Sequence, residues 1–388
     1  MIRRILGDKI SAWAEQYPVV TITGPRQSGK TTLAKALFPN KHYVSLEELD
    51  NRRFAREDPR GFLSDVREGA ILDEIQNAPD LLSYLQGEVD GDDRPGRFIL
   101  TGSRQFEMME RVSQSLAGRT AVARLLPLAF TETPGLTEEA EADTFLYRGF
   151  YPRIYDRQLE PSESYSFYLS TYLERDIRQI GNIGDLSLFE NFLRLCAGRC
   201  GQLLNASALS NELGITHPTV RRWISILEAG HVVKLLTPWH ANIGKRLVKS
   251  PKLYFIDVGL ASHLLGIENA AQLKTHPQRG QLFENMIVGE ALKQRFNRGL
   301  RDNLHFYRDH QGNEVDLLLE HGETCDAFEI KSARTVQAEF FRGLDAFEKA
   351  TGKTRHRYLA YGGSRASRQR DTRILPWSAF SIFPETER

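Results

Sequence analysis

Apolar and polar positions alternate at two periods along the first hundred residues. In residues 1–17, Ile2, Ile5, Leu6, Ile10 and Trp13 recur at helical spacing and predict an amphipathic helix. PVVTITG (18–24) is then a β-branched run closed by glycine, and KTTLAKALF (30–38) returns to helical spacing. KHYVSLEEL (41–49), GAILDE (69–74) and RFILTGS (97–103) are further short apolar runs ending in polar residues. Strands alternating with helices predict a parallel sheet with helices on its faces, an α/β fold.

The pattern changes after RLLPLAFTE (124–132). Residues 133–143 are acidic and turn-rich, and 144–200 read as helical and aromatic, including YSFYLSTYLERDIRQI. NASALSNELGITHPTVRRWISILEAGHVVKLLTPW (205–239) reads as helix, tight turn, helix and strand. From 279, the helix RGQLFENMIVGEALKQRF precedes several strand-like segments. The expected divisions are 1–132, 133–195 (a helical lid or linker), 196–262 and 263–388, with no internal repeat.

Composition narrows the class. A chain of 388 residues exceeds one ordinary core. With 41% hydrophobic and 26% charged residues it reads as a soluble globular protein. A net charge of +1 excludes a strongly basic coat, so any DNA contact must come from local patches. Cys196, Cys200 and Cys325 form neither a C-x-x-C pair nor a disulfide framework, and read as packed thiols. No run approaches the ~20 apolar residues of a membrane span, and the N-terminus lacks a signal-peptide core. A cytoplasmic protein without membrane contact is expected.

The chemistry begins at GPRQSGKTT, which matches G-x-x-x-x-G-K-[ST] between a strand and a helix. Gly24, Pro25, Arg26, Gln27, Ser28, Gly29, Lys30, Thr31 and Thr32 are the expected phosphate-binding set. Glycines let backbone N–H groups wrap an anion, and the following helix adds the positive end of its dipole. Lys30 is expected to reach the β- and γ-phosphates of ATP, and Thr31 to place its hydroxyl on Mg²⁺. In AILDE, Asp73 is expected in the magnesium shell and Glu74 as the base on the attacking water. Thr101 and Ser103, ending FILTGS, are candidate γ-phosphate sensors. The alternative for the acids is capping of a strand end.

Such an ATPase often takes a cation on the γ-phosphate; Arg104, Arg119 and Arg175 are candidates, with a surface or ion-pair role as the ordinary alternative. An arginine acting in trans would require self-association, so a homo-oligomer stays open. In SALSNELGITHPTVRRWISILEAGHVVKLL (207–236), Leu209 and Leu213 turn inward, Gly214 makes the turn and Pro218 sits in the first turn of the next helix. Val220, Trp223, Ile224 and Leu227 form its apolar stripe, leaving Thr219, Arg221 and Arg222 exposed. That layout is a winged helix able to enter a major groove, or equally a lid or protein-docking module.

GNEVDLLLEHGETCDAFEIKSA (312–333) sets Asp316, Glu329 and Lys331 inside an apolar hairpin. Alternation predicts Asp316 beside Glu314 and Leu318, with Val315, Leu317, Leu319, Phe328 and Ile330 facing the core. Glu329 and Lys331 then share the other face of the partner strand. Two carboxylates ~4 Å apart repel by about 4 kcal/mol at an effective dielectric of 20. A second Mg²⁺ or Mn²⁺ on Glu284, Asp316 and Glu329 would offset this and activate water, with Lys331 stabilising a scissile phosphate. The alternative is an amphipathic hairpin. Lys353, Arg355, Arg357, Arg365, Arg368 and Arg370 form a basic tail for a phosphate backbone or for solvent.

The order Glu, Asp, Glu-x-Lys resembles the PD-(D/E)xK nucleases, although Val315 stands where that pattern often has proline. GPRQSGKTTLA, ILDEIQ, ILTGSRQF, SLAGR, LPLAF, YLERDI, SPKLYFIDVGLASHLLG and GNEVDLLLE…FEIK together resemble a bacterial and archaeal family of AAA-type ATPases. The resemblance implies a P-loop domain, a helical segment, a winged helix and a restriction-endonuclease-like C-terminal domain. It also implies ATP and magnesium at Gly29, Lys30, Thr31, Asp73 and Glu74. The expected function is that of an ATP-binding and ATP-hydrolysing switch or motor acting on DNA, with its nuclease-like C-terminal domain a candidate for metal-dependent cleavage. The rivals are an ATP-gated binding or regulatory protein with an inactive nuclease fold and, third, a small-molecule kinase.

Overall fold

The computed structural model describes residues 2–103, 115–172, 183, 185–239 and 250–383. It divides into two compact units. The first comprises Met1–Leu128, Ala229–His231 and Arg295–Arg301, and the second Ala129–Glu228, Val232–Gln294 and Asp302–Arg388.

The first unit is built on five parallel strands in the order β2-β3-β4-β1-β5. They are β1 (Val19–Thr23), β2 (His42–Ser45), β3 (Ala70–Asp73), β4 (Phe98–Gly102) and β5 (Thr120–Arg124). β1 is buried throughout because both faces are covered. Val20 and Ile22 pack with Leu6, Ile10, Leu33 and Ala34 from helices Leu6–Ala14 and Lys30–Leu37. Val19 packs with Phe62, Leu82 and Leu85 in a separate cluster. The first helix starts at Leu6 and not at residue 1, and Ile5 is left 39% exposed. A buried aliphatic side chain contributes about 1.5–3 kcal/mol, so the turn carrying Leu6 and Ile10 sets the helix. β4 lies between β1 and β3, which brings the ends of FILTGS, the phosphate loop and AILDE together.

The second unit holds an eight-stranded mixed sheet, ordered β12-β13-β11-β10-β9-β8-β6-β7. β9 (Glu314–His321) and β10 (Thr324–Lys331) form its central hairpin, turning at Gly322 with φ 64°. β8 (Leu304–Arg308) flanks β9, and β11 (Thr354–Tyr361) flanks β10. β6 (Val233–Pro238) and β7 (Lys252–Phe255) extend the same sheet, β6 pairing with β8 through Thr237 and Pro238. β12 (Ser367–Gln369) and β13 (Thr372–Pro376) close the other edge.

Helix Ala206–Leu213 ends at Gly214, whose φ of 66° suits a residue without Cβ, and helix His217–Ala229 follows. Val220, Trp223, Ile224 and Leu227 are buried and Arg221 and Arg222 exposed, as the apolar stripe predicts. Asp257 caps helix Val258–Leu264 and accepts from Tyr165 Oη at 2.5 Å and Phe150 N at 2.7 Å. That carboxylate ties the aromatic helical segment to the strand leading into the helix.

Candidate functional site

Gly24 ends β1 with φ 148°, and a Cβ there would lie 2.1 Å from the Leu125 carbonyl oxygen. Gln27 and Gly29 also take positive φ, so the loop curls back on itself. Pro25 and Ser28 are buried, Arg26 and Gly29 half-buried, and Gln27 and Thr32 exposed. Lys30 is buried and folds into the loop, donating to the carbonyls of Gly24 at 3.1 Å and Pro25 at 2.8 Å. Arg4 buttresses the loop from outside, donating to Ser28 O at 2.7 Å and Leu126 O at 2.6 Å. An arginine in the N-terminal helical stretch gave no sequence signal of this role.

Asp73 is the hub of the acidic side. Thr31 Oγ1 donates to its Oδ1 at 2.8 Å, Thr101 donates to the same oxygen, and Tyr43 Oη donates to Oδ2 at 2.8 Å. Burial, then the bond to Asp73, push the Tyr43 phenol up to about 12, so it stays a donor at neutral pH. Thr31 and Asp73 supply the hard oxygens that Mg²⁺ prefers, and the residues present therefore fit that ion.

Glu74 follows with φ 56° and ψ 48°, a left-handed conformation uncommon for a residue with a side chain. Its amide donates to Thr101 Oγ1 at 3.3 Å. Its Oε2 accepts from Ser103 Oγ at 3.3 Å and from the Gln76 amide. Gln76 also donates to Ser103 Oγ at 3.4 Å. Neither Tyr43, in a predicted strand, nor Gln76, two residues beyond the acid pair, carries a sequence signal of these contacts. Arg119 is held by Asp90, its Nη2 bonding Oδ2 at 2.9 Å. Arg104 and Arg175 lie outside the described residues.

In the second unit Asp316, Glu329 and Lys331 converge. The Lys331 ammonium lies 3.1 Å from Asp316 Oδ2 and 2.5 Å from Glu329 Oε1, and Ile330 N donates to Asp316 Oδ2 at 2.8 Å. The route differs from simple alternation. Opposite β8, the register passes from His305↔Leu318 to Tyr307↔Val315, inserting one extra residue into β9. This bulge puts Val315 and Leu318 into one cluster with Tyr307 and Phe347, where an unbroken strand would separate them.

Glu284, expected as a third metal-ligating carboxylate, pairs with a lysine and a tyrosine. Lys252, from β7, lies 2.9 Å from Glu284 Oε1 and 2.5 Å from Glu314 Oε1, and Tyr254 Oη donates to Glu284 at 2.5 Å. The lysine is 2% exposed. Burial and then the charge of Asp316 raise both Glu284 and Glu329 well above the usual carboxylate range. Glu329 Oε2 is buried without a hydrogen-bond partner among the described residues. The expected triad of metal-ligating carboxylates is thus a network of acids and lysines. Among the described residues no group of three or more histidine, cysteine or acidic side chains is arranged to hold a metal ion.

The basic tail is partly spent on the fold: Arg357 bridges Asp345 and Asp371, and Arg370 lies 3.7 Å from Asp345. The cysteines are buried and free, as expected of packed thiols. No described helix is long and apolar enough to cross a membrane.

An AAA domain family matches residues 16–133. Two domains of unknown function, DUF8612 and DUF4143, match residues 139–271 and 279–380. Uncharacterized protein Rv2008c of Mycobacterium tuberculosis and Uncharacterized protein Mb2031c of Mycobacterium bovis are each 33% identical over 339 residues, covering 86% of this chain and 74% of theirs. Among solved structures, the Walker-type ATPase paby2304 of Pyrococcus abyssi is similar at a TM-score of 0.41 and 15% identity, over 67% of this chain and 94% of that one. On the identity and mutual coverage of the mycobacterial relatives, the chain belongs to their family, and its N-terminal part is an AAA-type ATPase domain joined to DUF8612 and DUF4143 regions.

Proposed function

We propose that this chain is an ATP-hydrolysing switch that acts on DNA. The observation that carries the ATPase reading is the shared hub at Asp73, where Thr31 of the phosphate loop and Thr101 of the sensor strand meet one carboxylate oxygen. Lys30 leaves its loop carbonyls to reach the β- and γ-phosphates, while the Gly24–Thr32 backbone cradles them. Thr31 and Asp73 would hold a magnesium ion, which would supply charge neutralisation at the phosphates. Glu74 takes the proton of the attacking water, and Ser103 reads the γ-phosphate from the other side of that carboxylate. Coupled ATPase assays on wild type, Lys30→Ala and Glu74→Gln test this. Unimpaired turnover in either variant would overturn the assignment, and a phosphorylated small-molecule acceptor would restore the kinase alternative.

For the second unit, the reading is a winged helix beside a nuclease-like domain, with the four-part division set out from the sequence. The helix-turn-helix followed by the β6–β7 pair supports a winged helix, with Arg221 and Arg222 facing DNA phosphates. Asp316, Glu329 and Lys331 meeting at a bulged hairpin supports a nuclease-like fold. A second reading, an ATP-gated DNA- or protein-binding regulator, is favoured by Lys252, which pairs with Glu284, one of the three candidate ligands, where a metal-dependent enzyme would keep that acid open.

Incubation with single- and double-stranded DNA, in Mg²⁺ or Mn²⁺ and with or without ATP, separates the two. Cleavage lost in Asp316→Asn and Lys331→Ala supports the nuclease. Intact DNA that is nonetheless shifted in mobility by the protein supports the regulator.

A further inference from the structure

Gln76 has no role in the reading above, yet its side chain is fixed at the centre of the hydrolytic site. It belongs to the short turn Ile75–Asn77, entered from the left-handed Glu74. Its amide nitrogen donates to Glu74 Oε2 and, at 3.4 Å, to Ser103 Oγ. Ser103 Oγ donates to the same Glu74 oxygen at 3.3 Å. One oxygen of the candidate base is therefore occupied by two donors. The other end of the Gln76 amide is the exception: Oε1 is buried with no hydrogen-bond partner among the described residues. A buried, unmet carbonyl costs about 1–3 kcal/mol, and a water beside Glu74 would satisfy it.

We propose that Gln76 positions the attacking water in ATP hydrolysis, its N–H fixing Glu74 and its Oε1 accepting a hydrogen bond from that water. The inference rests on the reading of Glu74 as the base. In the step, the water oxygen forms a bond to the γ-phosphorus as the bond from that phosphorus to the bridging oxygen of ADP breaks. One water proton passes to Glu74; the other stays on the new phosphate oxygen, facing Gln76 Oε1. The carboxylate and the carbonyl together hold both O–H bonds of the water, which aims a lone pair at phosphorus. A glutamine orienting water in this way is established chemistry for other phosphate-loop hydrolases. Here the placement comes from the strained turn after β3, which returns residue 76 over residue 74.

The test uses the full chain with wild type, Glu74→Gln, Gln76→Met, Gln76→Asn and the double variant Glu74→Gln/Gln76→Met. Binding is read with a fluorescent ATP analogue, folding by circular dichroism, and turnover under saturating Mg²⁺ and ATP. Gln76→Met is expected to lose roughly 10²-fold in kcat with nucleotide affinity within about twofold. The double variant is expected to be no slower than Glu74→Gln alone, because groups acting on one water are not additive. Gln76→Asn keeps the amide but withdraws it by one methylene, so it shows the same loss and stands in if the methionine variant is unstable. Wild-type kcat in the Gln76 variants, losses that multiply in the double variant, or affinity falling in step with kcat would each overturn the proposal. Wild-type turnover in Glu74→Gln would instead remove the base assignment, a distinguishable failure that takes the proposal with it.

Discussion

Tyr43 and Asp73 are joined across neighbouring strands, the phenol of β2 donating to Oδ2 at 2.8 Å while Thr31 occupies Oδ1 at the same distance. The tyrosine fixes which carboxylate oxygen turns toward the phosphate loop. It is the kind of outer partner whose loss weakens a metal site without removing a ligand.

Tyr43→Phe is accordingly expected to fold and bind nucleotide but to need about 10-fold more Mg²⁺ for half-maximal ATPase activity. A magnesium titration at saturating ATP measures this. An unchanged midpoint would show that Asp73 is oriented by its threonines alone.

The Lys252 cluster makes a stability prediction independent of any nuclease activity. Removing one member of a buried ion pair leaves an uncompensated charge, at a cost of about 3–5 kcal/mol. Lys252→Met sets Glu284 against Glu314 with no cation between them, so urea unfolding followed by fluorescence should show a loss of that order. Adding Glu284→Gln should return part of it. A loss below about 1 kcal/mol would place the pair in the class of weakly contributing surface ion pairs.

The ATPase half was legible because its signals are local. Short apolar runs closed by polar residues or glycine mark β1, β3 and β4, and GPRQSGKTT lies between a strand and a helix. Gln76 and Arg4 were not legible, since their roles depend on where turns return in space. The hairpin acids were found by pairing two runs, yet alternation misplaced Leu318, because a one-residue bulge leaves no mark in the sequence. Lys252 was hidden for a related reason: in SPKLYFID a lysine before an apolar run looks like a strand's outer edge. Only the pairing of β7 into an eight-stranded sheet makes it an inside residue.

Thiol chemistry gives a direct check on the packing of the second unit. Burial pushes Cys200 and Cys325 each up to about 12 and Cys196 above the usual thiol range, so at pH 8 none carries much thiolate. Native protein should leave an aromatic disulfide reagent unreacted over minutes, while the urea-unfolded chain should react at Cys196, Cys200 and Cys325. Rapid native labelling of one thiol, mapped by mass spectrometry, would locate a segment that opens.

His231 carries the clearest pH dependence. It is buried at φ 54°, and its Nε2 has no hydrogen-bond partner among the described residues. Burial, then the charges of Lys30 and Arg124, lower its pKa to about 3 from 6.5. The folded chain thus takes up this proton only near pH 3, whereas the unfolded chain takes it up through 6.5. Between those values the unfolded state binds more protons, so acidification destabilises the fold; above 6.5 the group contributes no pH dependence. From pH 7 to pH 5 the histidine should account for a stability loss of about 2 kcal/mol. His231→Asn tolerates the left-handed backbone and cannot titrate. Its urea-unfolding stability should therefore fall less than that of wild type over the same interval, by about that amount. Parallel losses in the two proteins would mean that His231 protonates in the folded state near its ordinary pKa, and that water reaches it beside the phosphate-loop lysine.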